Sequence, residues 1–209
     1  MSNYLSCIII AGGDVKEPIH LDNRERLIIC ADGGYRHALK QGIKPDVLIG
    51  DFDSYTDNLP DDIEIVRLPV EKDVSDTWAA VQYGKEQGIK IFEIYGGCGG
   101  DRIDHTIANL QLMHYIASEG MSGFLRYGNQ KLVTVCPGVE FPVQAVTFPY
   151  FSVFALSDVC KGVTIKGAKY PLKNAELTNR FPLGLSNECR EDVLVSVREG
   201  SLLLVLTEK

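Results

Sequence analysis

The chain of 209 residues has no Cys-x-x-Cys pair; its six cysteines, Cys7, Cys30, Cys98, Cys136, Cys160 and Cys189, are scattered, which removes zinc-ligand spacing. It has no run of Lys or Arg, and a formal net charge of -7 argues against a nucleic-acid or anionic-membrane partner. No apolar stretch is long enough to span a bilayer, and Met1-Ser2-Asn3-Tyr4 does not open a basic-then-apolar leader. The expectation is a soluble, cytoplasmic protein with Cys7 and Cys30 as buried reduced thiols. Neither GxxxxGK[ST] nor GxGxxG occurs, so a P-loop and a standard dinucleotide fold are unsupported. Tryptophan occurs once, at Trp78 on a predicted helix, where core packing is expected.

Apolar runs at Leu5–Ala11, Leu27–Ala31, Val47–Ile49, Ile63–Leu68 and Ile89–Tyr95 read as strands. Helical patterns at Tyr35–Gln41, Ser75–Glu86 and Ile103 to about Glu119 alternate with them. That alternation predicts an α/β, doubly wound, mostly parallel sheet. After Gly123 the pattern changes to short β-type runs separated by Gly, Pro, Asn and Asp, which predicts a smaller β-sandwich or barrel. The expected domains are 1–130 and 131–209.

Four acidic segments fall where predicted strands end or helices begin: Ala31-Asp32-Gly33-Gly34, Gly50-Asp51-Phe52-Asp53-Ser54, Lys72-Asp73-Val74-Ser75-Asp76 and Asp101-Arg102-Ile103-Asp104-His105. Open α/β sheets build their sites at the carboxyl ends of strands. Two carboxylates about 4 Å apart repel by roughly 4 kcal/mol at an effective dielectric near 20, so their gathering there points to a hard divalent cation carrying a polyphosphate. In extended geometry Asp51 and Asp53 leave the same side of the backbone and reach one Mg²⁺, directly or through water; a turn with Asp and Ser satisfying backbone amides is the plainer reading. Asp73 and Asp101 stand where helix caps are expected, leaving Asp76 and Asp104 to face the site. Lys72 and Arg102 supply cations for phosphate oxygens. His105 is expected to form hydrogen bonds and to share a polar network with Asn109, four residues on.

In this order, Ala-Asp-Gly-Gly, then Pro45-Asp46-Val47-Leu48-Ile49-Gly50-Asp51-Phe52-Asp53-Ser54, then Lys72-Asp73-x-Ser75-Asp76, then Gly100-Asp101-Arg102-x-Asp104-His105 with Asn109, the segments resemble the catalytic domain of thiamin pyrophosphokinases. The β-rich remainder resembles that family's thiamine-binding domain, with Gly184-Leu185-Ser186-Asn187-Glu188 matching a characteristic loop. Departures are Ser75 where Thr is frequent, Tyr35 where a small residue is usual, and Asp101 where Gly is frequent.

The resemblance implies transfer of the pyrophosphoryl group of ATP to the hydroxyl of thiamine, giving thiamine diphosphate and AMP, in a homodimer with thiamine near the interface. Asp51, Asp53 and Asp76 would hold Mg²⁺, Lys72 and Arg102 would stabilise the transferred group, and Asp104 would orient the hydroxyl or take its proton. Asp32, Gly33, Ser54, Asp73, His105 and Asn109 would serve the nucleotide, and Ser186 and Asn187 thiamine. The competing readings are a Mg²⁺-dependent phosphohydrolase using Asp51-Phe52-Asp53, and a non-catalytic nucleotide or thiamine sensor.

Overall fold

The computed structural model describes residues 4–21, 25–52, 59–71 and 73–209. Asp53, Ser54 and Lys72, all expected at the site, lie outside the described residues. The chain divides into two compact units: Met1–Leu112 with Leu125–Gly128, and Met113–Phe124 with Asn129–Lys209.

In the first unit, β1 (Ser6–Ile10), β2 (Arg26–Ala31), β3 (Val47–Gly50), β4 (Glu64–Arg67) and β5 (Ile91–Tyr95) form a parallel sheet in the order β4-β3-β2-β1-β5. Every residue of β1 and β3 is buried, the expected consequence of covering both faces of a parallel sheet. The pleat divides β1 by period two. Ile8 and Ile10 cluster with Tyr35 and Ala38 of α1 (Gly34–Lys40), whereas Cys7 and Phe92 lie against Gly84 of α2 (Asp76–Glu86). The two helices thus cover opposite faces, the doubly wound arrangement expected from the sequence. Cys7 and Cys30 are fully buried free thiols, and burial pushes the Cys30 thiol up to about 12. A third helix, α3 (Ile103–Ser118), follows β5.

The chain passes from β1 to β2, β3 and β4 on one side, and β5 then pairs with the other side of β1. Strand order therefore reverses at β1. The crevice beyond the carboxyl ends of β1 and β5 is the place where such sheets bind ligands.

The chain next forms β6 (Ser122–Tyr127). In the second unit follow β7 (Gln130–Val135), β8 (Glu140–Val143), β9 (Tyr150–Ala155), β10 (Val159–Ala168), β11 (Leu172–Thr178), β12 (Gly184–Ser196) and β13 (Leu202–Thr207). All their pairings are antiparallel. β12 serves two layers: its first residues pair with β9 beside β13 and β7, and its last residues pair with β8 and β10, with β11 beyond. Val193 and Val195 of this end, with Val197 just beyond it, meet Leu202, Leu204 and Leu206 of β13 in one core cluster, the alternation of a two-layer β structure. Strands β8 and β11 were not legible in the sequence. β8 contains Pro142, and β11 buries only Leu177, so neither carries a clear apolar alternation.

Candidate active site

A cavity of about 1260 Å³ opens at the carboxyl ends of β1, β2, β3 and β5. Its acidic lining comes from separate turns: Asp14 after β1, Asp32 after β2, Asp51 after β3, Asp76 at the start of α2 and Asp101 after β5. Arg36 of α1 and Arg102 add cations to the same cavity, and Gly33, Ser75, His105 and Asn109 also line it.

Backbone geometry aims two of these carboxylates. Asp32 and Phe52 both have left-handed backbones, with φ of 44° and 56°. Aspartate tolerates that region, whereas for a bulky residue it costs of order 1–3 kcal/mol. Phe52 is held there by burial in the core of the first unit, with the Arg67 guanidinium 5.8 Å from its ring centre. Packing a Phe ring offsets the strain and turns the chain just past Asp51. The extended geometry expected for Asp51-Phe52-Asp53 is therefore absent at Phe52. The amide of Asp32 donates to the Ile49 carbonyl at 2.8 Å, joining the ends of β2 and β3.

The loop after β5 contains three left-handed glycines, Gly96, Gly99 and Gly100, with φ between 66° and 77°. Three hydrogen bonds from outside the turn fix it. Gly13 N–H donates to the Gly96 carbonyl at 2.9 Å, Asn109 Nδ2 donates to the Gly97 carbonyl at 2.8 Å, and Gly99 N–H donates to Thr106 Oγ1 at 3.1 Å. Asn109 is 4% exposed. Its amide donates to the loop, so it fixes the Gly96–Gly100 turn at the edge of the cavity it lines.

The acid pairs before α2 and α3 behave differently from expectation. Ser75, not Asp73, caps α2, its Oγ accepting from Trp78 N–H at 3.2 Å, and Asp73 does not line the cavity. Ser75 is preferred because its φ of -73° and ψ of 159° supply the extended N-cap geometry. At α3, Asp101 faces the cavity, while Asp104 accepts a bidentate set from Arg102: Nε at 3.0 and 3.2 Å and Nη2 at 2.7 Å. The pair is exposed, and Asp104 is not part of the cavity lining. Hydrogen bonding to Arg102 is the largest influence and lowers the Asp104 carboxyl to about 2; desolvation opposes it, and the Arg102 charge adds a smaller lowering. Trp78 lines a separate, mainly apolar cavity of about 310 Å³ with Ile49, Val66 and Tyr83.

Sequence reasoning missed Asp14, Arg36 and Tyr127, all of which line the large cavity. Asp14 was within reach, because it follows the Gly12-Gly13 turn at the end of a predicted strand. Tyr127 has no local signal; it reaches the site through pairings between distant parts of the chain.

In the second unit, Asn187 is 4% exposed and both of its side-chain polar atoms are engaged: Oδ1 accepts from Tyr170 N–H at 3.0 Å and Glu188 N–H at 2.9 Å, and Nδ2 donates to the Tyr170 carbonyl at 2.9 Å. Ser186 is exposed, with a left-handed φ of 58°, and its amide donates to Ser152 Oγ at 3.0 Å. The segment expected as a loop is an irregular start to β12, where register shifts between Gly184 and Asn187. Tyr150, Tyr170, Phe181, Leu183 and Leu185 are all more than half exposed in this unit.

Residues 19–125 match the thiamin pyrophosphokinase catalytic domain, and residues 139–202 match the thiamin pyrophosphokinase vitamin B1 binding domain. A thiamine pyrophosphokinase of Bacillus subtilis is 30% identical over 189 residues, covering 86% of this chain and 87% of that protein. The crystal structure of the Bacillus subtilis thiamine pyrophosphokinase superposes with a TM-score of 0.85 at 26% identity, covering 98% and 99% of the two chains. The structure of thiamin pyrophosphokinase from Geobacillus thermodenitrificans gives 0.83 at 25% identity, covering 98% of each. A Candida albicans thiamin pyrophosphokinase shares the fold, with a TM-score of 0.75 at 16% identity over 99% of this chain and 90% of that one. The order of acidic turns, the cavity they line and the two domain matches together place the chain in the thiamin pyrophosphokinase family, enzymes that form thiamine diphosphate.

Proposed function

We propose that the chain transfers the pyrophosphoryl group of ATP to the primary hydroxyl of thiamine, releasing AMP. The observation that carries this reading is the single cavity at the β1/β5 switch point, which combines the carboxylates of Asp32, Asp51 and Asp76 with the Arg36 and Arg102 cations. Its volume is ample for a nucleoside triphosphate. In the reaction the thiamine oxygen bonds to the β-phosphorus, the bond from that phosphorus to the α-β bridging oxygen breaks, and AMP leaves with the bond's electron pair. The hydroxyl proton passes to solvent or a carboxylate.

Mg²⁺ fits the donor set. Asp51 and Asp76 offer hard carboxylate oxygens to the cavity, with Asp53 as the third residue assigned from sequence. Mg²⁺ keeps several waters and is commonly held by one or two carboxylates together with substrate phosphates, so Asp51, Asp53 and Asp76 would hold it directly or through water. When bound, the ion neutralises charge on phosphate oxygens.

The protein's own groups do the positioning. The Gly96–Gly100 turn offers a close backbone approach, Arg102 and Lys72 offset phosphate charge, and Asp104 holds the Arg102 guanidinium. A carboxyl lowered to about 2 is a weak base, so we assign Asp104 to orientation rather than proton removal. Asp32, Gly33, Ser54, Asp73, His105 and Asn109 are assigned to the nucleotide side, and Asn109 acts through the loop it holds. Residues 1–130 would form the catalytic domain and 131–209 the thiamine-binding domain. Ser186 is the exposed candidate for thiamine, with Asn187 shaping the strand beneath it. The exposed apolar residues of the second unit suit a homodimer contact.

The test is incubation with thiamine, ATP and Mg²⁺ followed by chromatographic separation. Equal amounts of thiamine diphosphate and AMP are expected. ADP as the coproduct, or ATP loss with thiamine unchanged, would overturn the assignment in favour of a kinase of another type or a hydrolase.

A further inference from the structure

The segment between β1 and β2 carries a brace that the assigned chemistry does not use. Lys16 Nζ donates to the Tyr127 hydroxyl at 2.7 Å, and the same ammonium lies 4.6 Å from the centre of the Tyr127 ring. One residue on, Glu17 Oε2 accepts from Gly128 N–H at 2.7 Å and from Lys16 N–H at 3.2 Å. Two adjacent links thus join positions 111 residues apart in sequence. The other Glu17 oxygen is buried without a hydrogen-bond partner among the described residues. A carboxylate kept in that position at a desolvation cost marks a fixed geometry rather than a loose surface contact.

What the brace holds is the glycine turn of the cavity. A methyl group on Gly99 would lie 2.5 Å from Tyr127 Cε2 and 2.8 Å from its hydroxyl oxygen, so the phenol sits directly on this residue. Gly99 is left-handed, with φ of 74°. Asp14, 3.8 Å from Lys16 Nζ, lies beside Gly100 and lines the cavity, as does Tyr127. The turn is therefore held by hydrogen bonds to Asn109 and Thr106 and by the Tyr127 ring against Gly99.

We propose that Tyr127, fixed by Lys16, is a positioning residue that holds the Gly96–Gly100 turn in the shape that receives the nucleotide's phosphates. This rests on the nucleotide reading of the cavity above. A mere staple between chain segments would alter stability; a positioning pair alters nucleotide binding selectively, because Gly96, Gly97, Gly99 and Gly100 all line that cavity.

The test uses calorimetric titration of the full chain with AMP, together with KM values for ATP and thiamine. Tyr127→Phe keeps the ring on Gly99 and removes only the hydroxyl, and Lys16→Met removes its donor. Each is expected to weaken AMP binding roughly threefold, and the double variant no further, since both remove one coupled contact. Tyr127→Ala frees the turn and is expected to cost at least about tenfold, in the range of small misplacements near a reacting group. KM for ATP rises in all variants while KM for thiamine stays put. Multiplying losses in the double variant, or a KM for thiamine that rises in step with that for ATP, would overturn the proposal. Should Tyr127→Ala not fold, the Phe and Met variants decide it alone. Wild-type protein that does not bind AMP would instead sink the nucleotide reading itself.

Discussion

Asp104 and Arg102 show how a neighbour decides what a carboxylate can do. The Asp104 carboxyl is brought from 3.8 to about 2, first by hydrogen bonding to Arg102. A depressed carboxyl value stabilises the folded state at pH above 3.8, and the contribution is lost as pH falls through about 2. Both side chains are solvent-exposed, so the effect on stability is small and salt-sensitive. In Arg102→Met the Asp104 carboxyl is expected to titrate back toward 3.8, followed by its carbon chemical shift in NMR. A value that stayed near 2 would assign the shift to the α3 N-terminus instead of the guanidinium. Asn109 gives a second residue-scale prediction. Asn109→Leu leaves the Gly97 carbonyl without its donor, which costs about 1–3 kcal/mol of stability and loosens the glycine turn. Urea unfolding checks the first effect and KM for ATP the second. At this scale the sequence marked most of the acidic turns because aspartate beside a strand end is a local signal. It did not show that Ser75 rather than Asp73 caps α2, or that Arg102 engages Asp104, because both depend on which side chain lies within reach in the folded chain.

Elements were legible where their apolar residues are contiguous in sequence. β1 and β3 are buried throughout because helices cover both faces, while β4 and β5 keep short apolar stretches beside Glu64, Arg67 and Glu93; the first two helices show caps or stops in sequence. β8 and β11 are short of buried residues, and the start of β12 breaks register, so their pairing is decided by neighbouring strands rather than by local pattern. The junction of β1 with α1 tests the dependence of an element on its neighbour. A methyl group at Gly34 would overlap the Ile10 carbonyl oxygen. Backbone cannot retreat as a flexible side chain does, so Gly34→Ala is expected to destabilise by more than about 4 kcal/mol. Ser75→Ala, which removes only the α2 cap, is expected to cost about 1 kcal/mol. Thermal or urea unfolding of the two variants separates these sizes. Equal losses would mean that α1 adjusts on β1 as easily as a cap is replaced by water.

Across the whole molecule the charge balance sets a condition on catalysis. The chain has a net charge of -7, and its large cavity gathers Asp14, Asp32, Asp51, Asp76 and Asp101 against Arg36 and Arg102. A triphosphate entering this acidic cavity meets repulsion of roughly 4 kcal/mol for each charge pair near 4 Å at an effective dielectric of about 20. Two arginines offset only part of that, so the proposed reaction requires a divalent cation for binding as well as for turnover. With Mg²⁺ present, ATP at about 100 times its dissociation constant is expected to stabilise the fold by about 2.7 kcal/mol, a rise of roughly 5–10 °C in melting temperature for a chain of this size. After chelation the same ATP concentration should leave the melting temperature almost unchanged, and product formation should stop. Restoring Mg²⁺ should restore both, whereas Asp51→Asn should blunt the rise even with Mg²⁺ in excess. An ATP-induced rise that survived chelation in full would shift the charge compensation from the metal to Arg36 and Arg102, and the carboxylates of this cavity would then have to act on the substrate as hydrogen-bond acceptors rather than through an ion.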